Sequence, residues 1–177
     1  MGRGTVFLVG MMGAGKTTLG KALARRLERE FLDTDRVLVE RTGVPVATIF
    51  EIEGEDGFRR RESLVLAELA ARDDCVVATG GGAVLVEANR ELMRSHGTVV
   101  YLRARIESLW ERTRHDTSRP LLNTPDPRAT LVELLEKRDP LYREAAHLVI
   151  DVGTQSAGSL VTRIAAALRQ RSPEAPA

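Results

Sequence analysis

The chain has 177 residues, a length that fits one domain around one hydrophobic core. Hydrophobic residues make up 43% and charged residues 29%, and no apolar run is long enough to cross a bilayer, which excludes a membrane-spanning protein. The formal net charge of +1 provides no global field for nucleic acid or an anionic surface, so neither is an expected partner.

Cysteine and histidine chemistry is sparse in this sequence. Cys75 is the only cysteine, which excludes an internal disulfide, and His96, His115 and His147 lack the spacing of metal ligands. The first residues show no signal-peptide pattern. We therefore expect a protein of the reducing cytoplasm.

Short apolar runs alternate along the chain with longer segments of helical period. The runs predict strands at residues 5–9, 75–78, 98–102 and 148–150, with a further short run at 31–32. Helices are predicted at residues 16–29, 55–71, 86–95, 106–114, 130–142 and 159–171. Because the strands alternate with helices and are apolar throughout, the pattern predicts an α/β fold, a three-layer α/β/α domain with a central parallel sheet of about five strands.

The predicted domain spans residues 1–171. No internal repeat or linker interrupts it, and residues 172–177 are expected to form a disordered tail. Between Thr113 and Pro127 a stretch rich in Thr, Pro, Asp and Asn interrupts the helices, which predicts a long loop. Long loops in compact domains are often lids, so we expect a lid near residues 113–127.

The strongest motif follows the first predicted strand. Residues 10–17 read Gly-Met-Met-Gly-Ala-Gly-Lys-Thr and fit the G-x-x-x-x-G-K-[ST] pattern of a phosphate loop between a strand and a helix. In such a loop the backbone amides face phosphate oxygens, the lysine reaches the β- and γ-phosphates and the threonine hydroxyl ligates Mg²⁺. The predicted nucleotide-binding residues are Gly13, Ala14, Gly15, Lys16, Thr17 and Thr18.

The rest of the sequence narrows the class of phosphate-loop protein. The guanine motif N-K-x-D is absent, since Asn89 is followed by Arg90 and Asn123 by Thr124, so a GTPase is disfavoured. Nor do the later buried strands end in an acid that could serve a metal ion. The metal's carboxylate must therefore come from another part of the chain.

Two acids, Asp33 and Asp35, follow the short apolar run at residues 31–32. Separated by one residue in an extended chain, they can face the same cleft, where one could serve Mg²⁺ and the other an alcohol. The alternative is that Asp35 caps the helix that follows, which is a common role for aspartate.

Six pieces of the sequence together resemble the shikimate kinase family in order and spacing. They are the phosphate loop and residues 32–35, 58–62, 80–82, 119–122 and 138–142. The resemblance covers nearly the whole chain, and the joint occurrence of the pieces is highly specific. It implies a phosphate-loop fold like that of the nucleoside monophosphate kinases, ATP as co-substrate, Mg²⁺ as cofactor and a monomer. The implied reaction is phosphorylation of the 3-hydroxyl of shikimate, in the pathway to chorismate and aromatic amino acids.

The resemblance also implies roles for individual residues. Arg59 and Arg138 would bind the substrate carboxylate, Asp35 and the backbone of Gly80, Gly81 and Gly82 would hold its hydroxyls, and Thr17 and Asp33 would hold Mg²⁺. Guanidinium groups suit the bidentate recognition of a carboxylate, and glycines let the main chain approach a ligand closely.

Charge pattern alone allows simpler interpretations of both arginines. Arg59 could be one solvated member of a run with Arg60 and Arg61. Arg138 could be a surface arginine that stabilises the dipole at a helix C-terminus.

The remaining implied roles concern the nucleotide and the lid. Arg119 resembles the family's lid arginine, which would stabilise the transferred charge. Arg112 aligns with an arginine near the nucleotide, although a solvated helix face shared with Arg114 explains it equally well. Ala157 stands where family members often have proline, which leaves the adenine contacts open. It also stays open whether Asp35 is a base or a positioning group; Lys16, Asp35 and Arg119 are the predicted catalytic residues.

The nearest alternatives are other kinases of the same fold, acting on gluconate or on a nucleoside monophosphate. A nucleobase acceptor favours aromatic stacking surfaces, and only 4% of the chain is aromatic. Gluconate offers a carboxylate and hydroxyls as well, so only the arginine and triple-glycine pattern disfavours it. A nucleotide-binding regulator is disfavoured because the residues expected of the chemistry, among them Lys16 and Asp33, are intact.

Overall fold

The computed structural model describes residues 4–171, so the predicted tail at 172–177 lies outside the described residues. In chain order the elements are β1 Thr5–Val9, α1 Lys16–Leu27, β2 Glu30–Asp33, α2 Thr34–Thr42, α3 Val46–Ala70, β3 Cys75–Ala78, α4 Glu87–His96, β4 Gly97–Ala104, α5 Ile106–Thr113, α6 Pro127–Ala145, β5 Leu148–Val152 and α7 Ala157–Arg171. Single 3₁₀ turns occupy Ala83–Leu85 and Pro120–Leu122.

The five strands form one parallel sheet in the order β2-β3-β1-β4-β5. Every residue of β1 and β3 is buried, as expected for strands that helices cover on both faces. Helices α1 and α7 pack against each other on one face, and α4 and α6 pack together against β4 on the other. The predicted α/β/α architecture with five parallel strands is confirmed.

Three strands end side by side at the carboxyl edge of the sheet. Leu8 of β1 pairs with Ala78 of β3, and Ala78 pairs with Asp33 of β2. The chain leaves β1 toward one side of the sheet and leaves β3 toward the other, so the gap between their ends is a topological switch point. Open α/β sheets bind ligands at such points. Residues 10–17, 34–35 and 79–82 therefore emerge next to one another.

Two helical segments were not predicted from the sequence. Residues 34–42 form α2, whose first turn is capped by Asp33: its Oδ1 accepts from the amides of Asp35 (3.0 Å) and Arg36 (3.3 Å). Residues 46–53 form the first part of α3, which is separated from the predicted second part by Gly54 with φ 69° and ψ −178°. Both segments contain β-branched residues, which favour strands and obscure the helical period.

The long predicted loop lies where the sequence indicates it. Helix α5 ends at Thr113 and α6 begins at Pro127, after Asp126 accepts a hydrogen bond from the amide of Ala129 (3.0 Å). Between the two helices only the turn Pro120–Leu122 is regular. Within residues 4–171, no helix combines the length and apolar character needed to cross a membrane.

Candidate active site

The phosphate loop after β1 forms a cradle for an anion. Gly10, Gly13 and Gly15 have φ values of 148°, 80° and 96°, a region that side chains rarely allow. A Cβ at Gly10 would lie 2.7 Å from the carbonyl oxygen of Leu102, so the loop also needs glycine for space. Helix α1 starts without a side-chain cap, which leaves its first amides and the positive end of its dipole to a phosphate.

The side chain of Lys16 packs against the phosphate loop. Its Nζ donates to the carbonyl oxygens of Gly10 (2.6 Å) and Met11 (2.9 Å). Burial lowers the pKa of Lys16 to about 8, and the nearby carboxylate of Asp35 opposes that shift. An anion in the cradle would stabilise the charged ammonium group, so anion binding and protonation of Lys16 are coupled.

Thr17 and Asp33 present oxygen atoms at the edge of the cradle. The hydroxyl of Thr17 donates to Oδ2 of Asp33 at 2.9 Å. Magnesium prefers such oxygen ligands and completes its shell with water and substrate phosphates. Among the residues that the structure describes, no cluster of three or more His, Cys, Asp or Glu could hold a metal ion. The pair therefore fits a Mg²⁺ ion shared with phosphate.

The other residues predicted to bind the nucleotide surround the same loop. Arg112 donates from Nη1 to the carbonyl of Gly13 at 2.9 Å, which brings its exposed side chain to the cradle. Ala14 is buried within the loop, and Thr18 is exposed in the first turn of α1. Ala157 is the exposed first residue of α7, and no contact in the described chain assigns it to adenine.

A cleft of about 660 Å³ opens beside the cradle, and we call it the acceptor cleft. It is lined by Asp35, Arg59, Gly80, Gly81, Gly82, Arg119 and Arg138, and its apolar wall includes Val44, Pro45, Val46, Phe50 and Phe58. The predicted acceptor residues, which come from four separate stretches of sequence, are thus brought to one place.

Arg59 is held at the wall of the acceptor cleft. Its Nη1 donates to Oε1 of Glu62 at 2.8 Å, and its Cζ lies 5.1 Å from the ring centroid of Phe58. The side chain of Arg59 is only 11% exposed, whereas Arg60 and Arg61 are exposed. Arg59 is therefore not a solvated member of the arginine run.

Glu62 has no role assigned from the sequence, yet it is the most buried charged group of the cleft. Burial raises the pKa of Glu62, and Arg59 opposes that shift. Its Oε2 has no hydrogen-bond partner within residues 4–171, and a Cβ on Gly80 would lie 2.2 Å from it. A signal exists in the sequence, because Glu62 shares the apolar face of its helix with Phe58 and Val65.

Asp35 lies on the cradle side of the cleft. Burial raises the pKa of Asp35, Asp33 raises it further, and Lys16 acts in the opposite direction. Because Asp33 caps α2, the alternative that Asp35 is the helix cap is wrong. Oδ1 of Asp35 is buried without a hydrogen-bond partner in the described part of the chain. Such an atom can accept a hydrogen bond from the hydroxyl of a ligand.

Arg138 and the glycine loop (Gly80, Gly81 and Gly82) form the floor of the acceptor cleft. Arg138 is 2% exposed, so it is not a surface arginine at a helix end. A Cβ on Gly81 would lie 3.4 Å from Nη1 of Arg138. The amide of Gly80 donates to the Thr34 hydroxyl at 3.1 Å, so this amide is engaged inside the protein.

Arg119 reaches the acceptor cleft from the segment between α5 and α6. Its Nε donates to Oδ2 of Asp116 at 2.7 Å, while Oδ1 of Asp116 accepts from the amide of Ser118 at 3.0 Å. The Ser118 hydroxyl also donates to Asp116 and holds the pKa of that carboxyl below its usual range. Because Asp116 accepts a hydrogen bond only from Nε of Arg119, the terminal nitrogens of Arg119 stay available to a ligand. No sequence signal singled out Asp116.

Comparison with known proteins decides the family. The family model for shikimate kinase matches residues 12–169. The chain belongs to the shikimate kinase family. A shikimate kinase from Nitrosospira multiformis is 57% identical over 162 residues, which cover 92% of this chain and 83% of that protein. A solved shikimate kinase from Acinetobacter baumannii, in complex with shikimate, has a TM-score of 0.94 at 46% identity, covering 97% of this chain and 96% of that one.

More distant neighbours share only the fold. A gluconokinase from Sinorhizobium meliloti has a TM-score of 0.55 at 20% identity, covering 96% of this chain and 98% of that one. A deoxyadenosine kinase from M. mycoides has a TM-score of 0.60 at 14% identity, covering 95% of this chain and 100% of that one. As a member of the shikimate kinase family the chain is an ATP-dependent kinase, so the predicted family, kinase fold and enzyme class are confirmed.

Proposed function

We propose that this chain transfers the γ-phosphate of ATP to the 3-hydroxyl of shikimate, giving shikimate 3-phosphate and ADP. The family supplies the activity, and one observation carries the assignment of residues. Beside the anion cradle, one cleft is lined by Asp35, whose Oδ1 has no hydrogen-bond partner among residues 4–171, by the largely buried Arg59 and by the buried Arg138. These groups match, in turn, a triphosphate, a hydroxyl and a carboxylate.

Arg59 and Arg138 bind the carboxylate of shikimate. Both cations are largely buried, and Arg59 pairs with Glu62 at 2.8 Å and with Glu55 at 3.4 Å. Taking charge out of water is unfavourable unless it is compensated, so a cleft with two buried arginines favours an anionic ligand. Glu62 orients Arg59, and its Oε2, which has no hydrogen-bond partner in the described part of the chain, offers a further acceptor beside Gly80.

Asp35 holds the 3-hydroxyl and accepts its proton as the oxygen attacks the γ-phosphorus. Its raised pKa makes the carboxylate a better proton acceptor than an ordinary aspartate. Lys16 offsets the negative charge of the β- and γ-phosphates. Thr17 and Asp33 would hold Mg²⁺, which when bound supplies further neutralisation of that charge. Arg112 lies beside the cradle to contact the nucleotide.

Residues 1–171 form a single domain. Within it, residues 113–127 form a lid over the site. Arg119 contacts the transferred phosphate from this lid, with Asp116 fixing its Nε. Closure of the lid excludes water from the phosphates, which prevents hydrolysis of ATP without an acceptor.

The test is ADP release from ATP by the purified protein, with and without Mg²⁺, using shikimate, gluconate, nucleoside monophosphates or no acceptor. We expect Mg²⁺-dependent stimulation by shikimate alone. Arg59→Ala and Arg138→Ala should raise the KM for shikimate, and Asp35→Asn should lower kcat by about 100-fold or more. Arg60→Ala, an exposed neighbour, is the matched control and should retain both constants. Stimulation by gluconate instead would refute the acceptor assignment.

A further inference from the structure

Tyr142 is a fully buried residue of α6 whose hydroxyl lies between several parts of the site. The hydroxyl donates to the carbonyl oxygen of Gly81 at 2.5 Å and lies 3.5 Å from Sδ of Met11 in the phosphate loop. Burial raises the pKa of Tyr142 to about 12, although the positive charge of neighbouring Arg138 opposes this shift. The hydroxyl therefore keeps its proton, and remains a donor, throughout the physiological pH range.

The glycine loop has no side chains with which to hold its own backbone. The carbonyl of Gly80 accepts from the amide of Ala83 at 3.0 Å, but Tyr142 is the donor that holds the carbonyl of Gly81. In a trans peptide the C=O and N–H point in opposite directions, so fixing the oxygen of Gly81 also fixes the N–H of Gly82. Glycine loses more conformational freedom on ordering than other residues. Without this bond the peptide between Gly81 and Gly82 would sample several orientations.

We propose that the hydroxyl of Tyr142 is a positioning group for acceptor binding. It fixes the peptide between Gly81 and Gly82 at the floor of the acceptor cleft, next to Arg138. Tyr142 does not line the cleft itself, so it acts through the glycine loop and not by touching the substrate. The inference rests on the acceptor site proposed above. Because the glycine loop belongs to the proposed acceptor site, loss of the hydroxyl should raise the KM for shikimate more than the KM for ATP.

Tyr101 on β4 provides a matched control. It is 1% exposed, its ring centroid lies 4.9 Å from that of Tyr142, and its hydroxyl donates to Oδ1 of Asp139 at 2.7 Å. Asp139 does not line the acceptor cleft. Tyr142→Phe and Tyr101→Phe each remove one buried hydroxyl and keep the ring. We therefore expect both variants to fold and to lose similar amounts of thermal stability.

Steady-state kinetics should separate the two variants. In Tyr142→Phe the KM for shikimate rises about 3- to 10-fold, the factor expected for one lost hydrogen bond, while kcat and the KM for ATP stay within about twofold. Tyr101→Phe retains all three constants. Calorimetric titration with shikimate should give the same order of affinities without turnover.

Two outcomes would overturn this inference alone. One is an equal KM for shikimate in the two variants and the wild type, and the other is a parallel rise of both KM values in Tyr142→Phe, which would mean general loosening of the fold. A wild-type protein without shikimate-dependent turnover would overturn the proposed function and this inference with it.

Discussion

Replacement of Gly82 by alanine tests whether the position of Arg59 controls acceptor binding. The backbone of Gly82 has φ −99° and ψ 4°, which alanine can adopt, so the substitution acts through space alone. A Cβ at this position would lie 2.1 Å from Nη2 and 2.3 Å from Cζ of Arg59. Favourable contacts begin at about 3.5 Å, so the guanidinium has to withdraw by roughly 1 Å or more.

This displacement should weaken shikimate binding without unfolding the protein. A hydrogen bond to a charged group contributes about 1.5–3 kcal/mol, so loss of the Arg59 contact predicts a rise of about 10- to 100-fold in the KM for shikimate. The obstructed group is the end of a flexible side chain, so the backbone of the glycine loop can stay in place. Coupled detection of ADP measures both KM values, and the KM for ATP should stay within about twofold of wild type.

Gly158→Ala is the control for a glycine replacement elsewhere in the chain. Within residues 4–171, nothing beyond the adjacent backbone of α7 lies within 4 Å of a Cβ at Gly158, so wild-type kinetics are expected. A Gly82→Ala variant with the wild-type KM for shikimate would refute the reasoning, because Arg59 cannot keep its position once a Cβ is present.

Two further predictions concern Lys16 and Asp116. Because burial lowers the pKa of Lys16 to about 8 and bound phosphate restores its charge, ATP binding should be accompanied by proton uptake that is large above that pKa and small below it. Calorimetry in buffers of different ionisation enthalpy measures this uptake, and the KM for ATP should rise as pH increases through 8. Asp116→Ala should lower kcat about 10-fold with little change in the KM for shikimate, since Arg119 loses its partner. Steady-state kinetics should show no additional loss when Asp116→Ala is combined with Arg119→Ala.

The predictions for Lys16 and Asp116 can each be contradicted by one further variant. Lys16→Arg removes the titrating group, so proton uptake that persists in this variant would exclude Lys16 as its source. For Asp116, a loss of kcat that adds fully to that of Arg119→Ala would mean that the carboxylate does not act through Arg119.

The layer architecture could be predicted from sequence because burial on both faces leaves a visible pattern. Strands covered by helices are apolar throughout, and the runs at residues 5–9 and 75–78 coincide with β1 and β3. The phosphate loop was equally predictable, since its glycines and Lys16 must occupy fixed spacings within eight residues, 10–17. Helix α2 and the first part of α3 were not, because their period is weak and Gly54 interrupts it.

The family resemblance indicated which residues form the site, but neither their partners nor their burial could be predicted from the sequence. Residue type alone does not distinguish Asp33 from Asp35, but in the fold Asp33 caps α2 while Oδ1 of Asp35 has no hydrogen-bond partner within residues 4–171. Glu62 was given no role although it lies in the family-like segment 58–62, and Asp116 was missed because it lies in an irregular loop without a recognisable motif. Each gains its role from an arginine three residues away, whose own position depends on the fold.

The sequence by itself determined the parallel sheet, the phosphate loop and the kinase family, since each is encoded in local patterns along the chain. Only the tertiary structure decided which charged and polar groups are buried. Arg59 is mostly removed from water while Arg60 remains exposed, and the hydroxyl of Tyr142 donates to the carbonyl of Gly81, 61 residues away along the chain. The physical reason is that the cost of burying a polar group depends on its partners, and in folded proteins those partners come from distant segments.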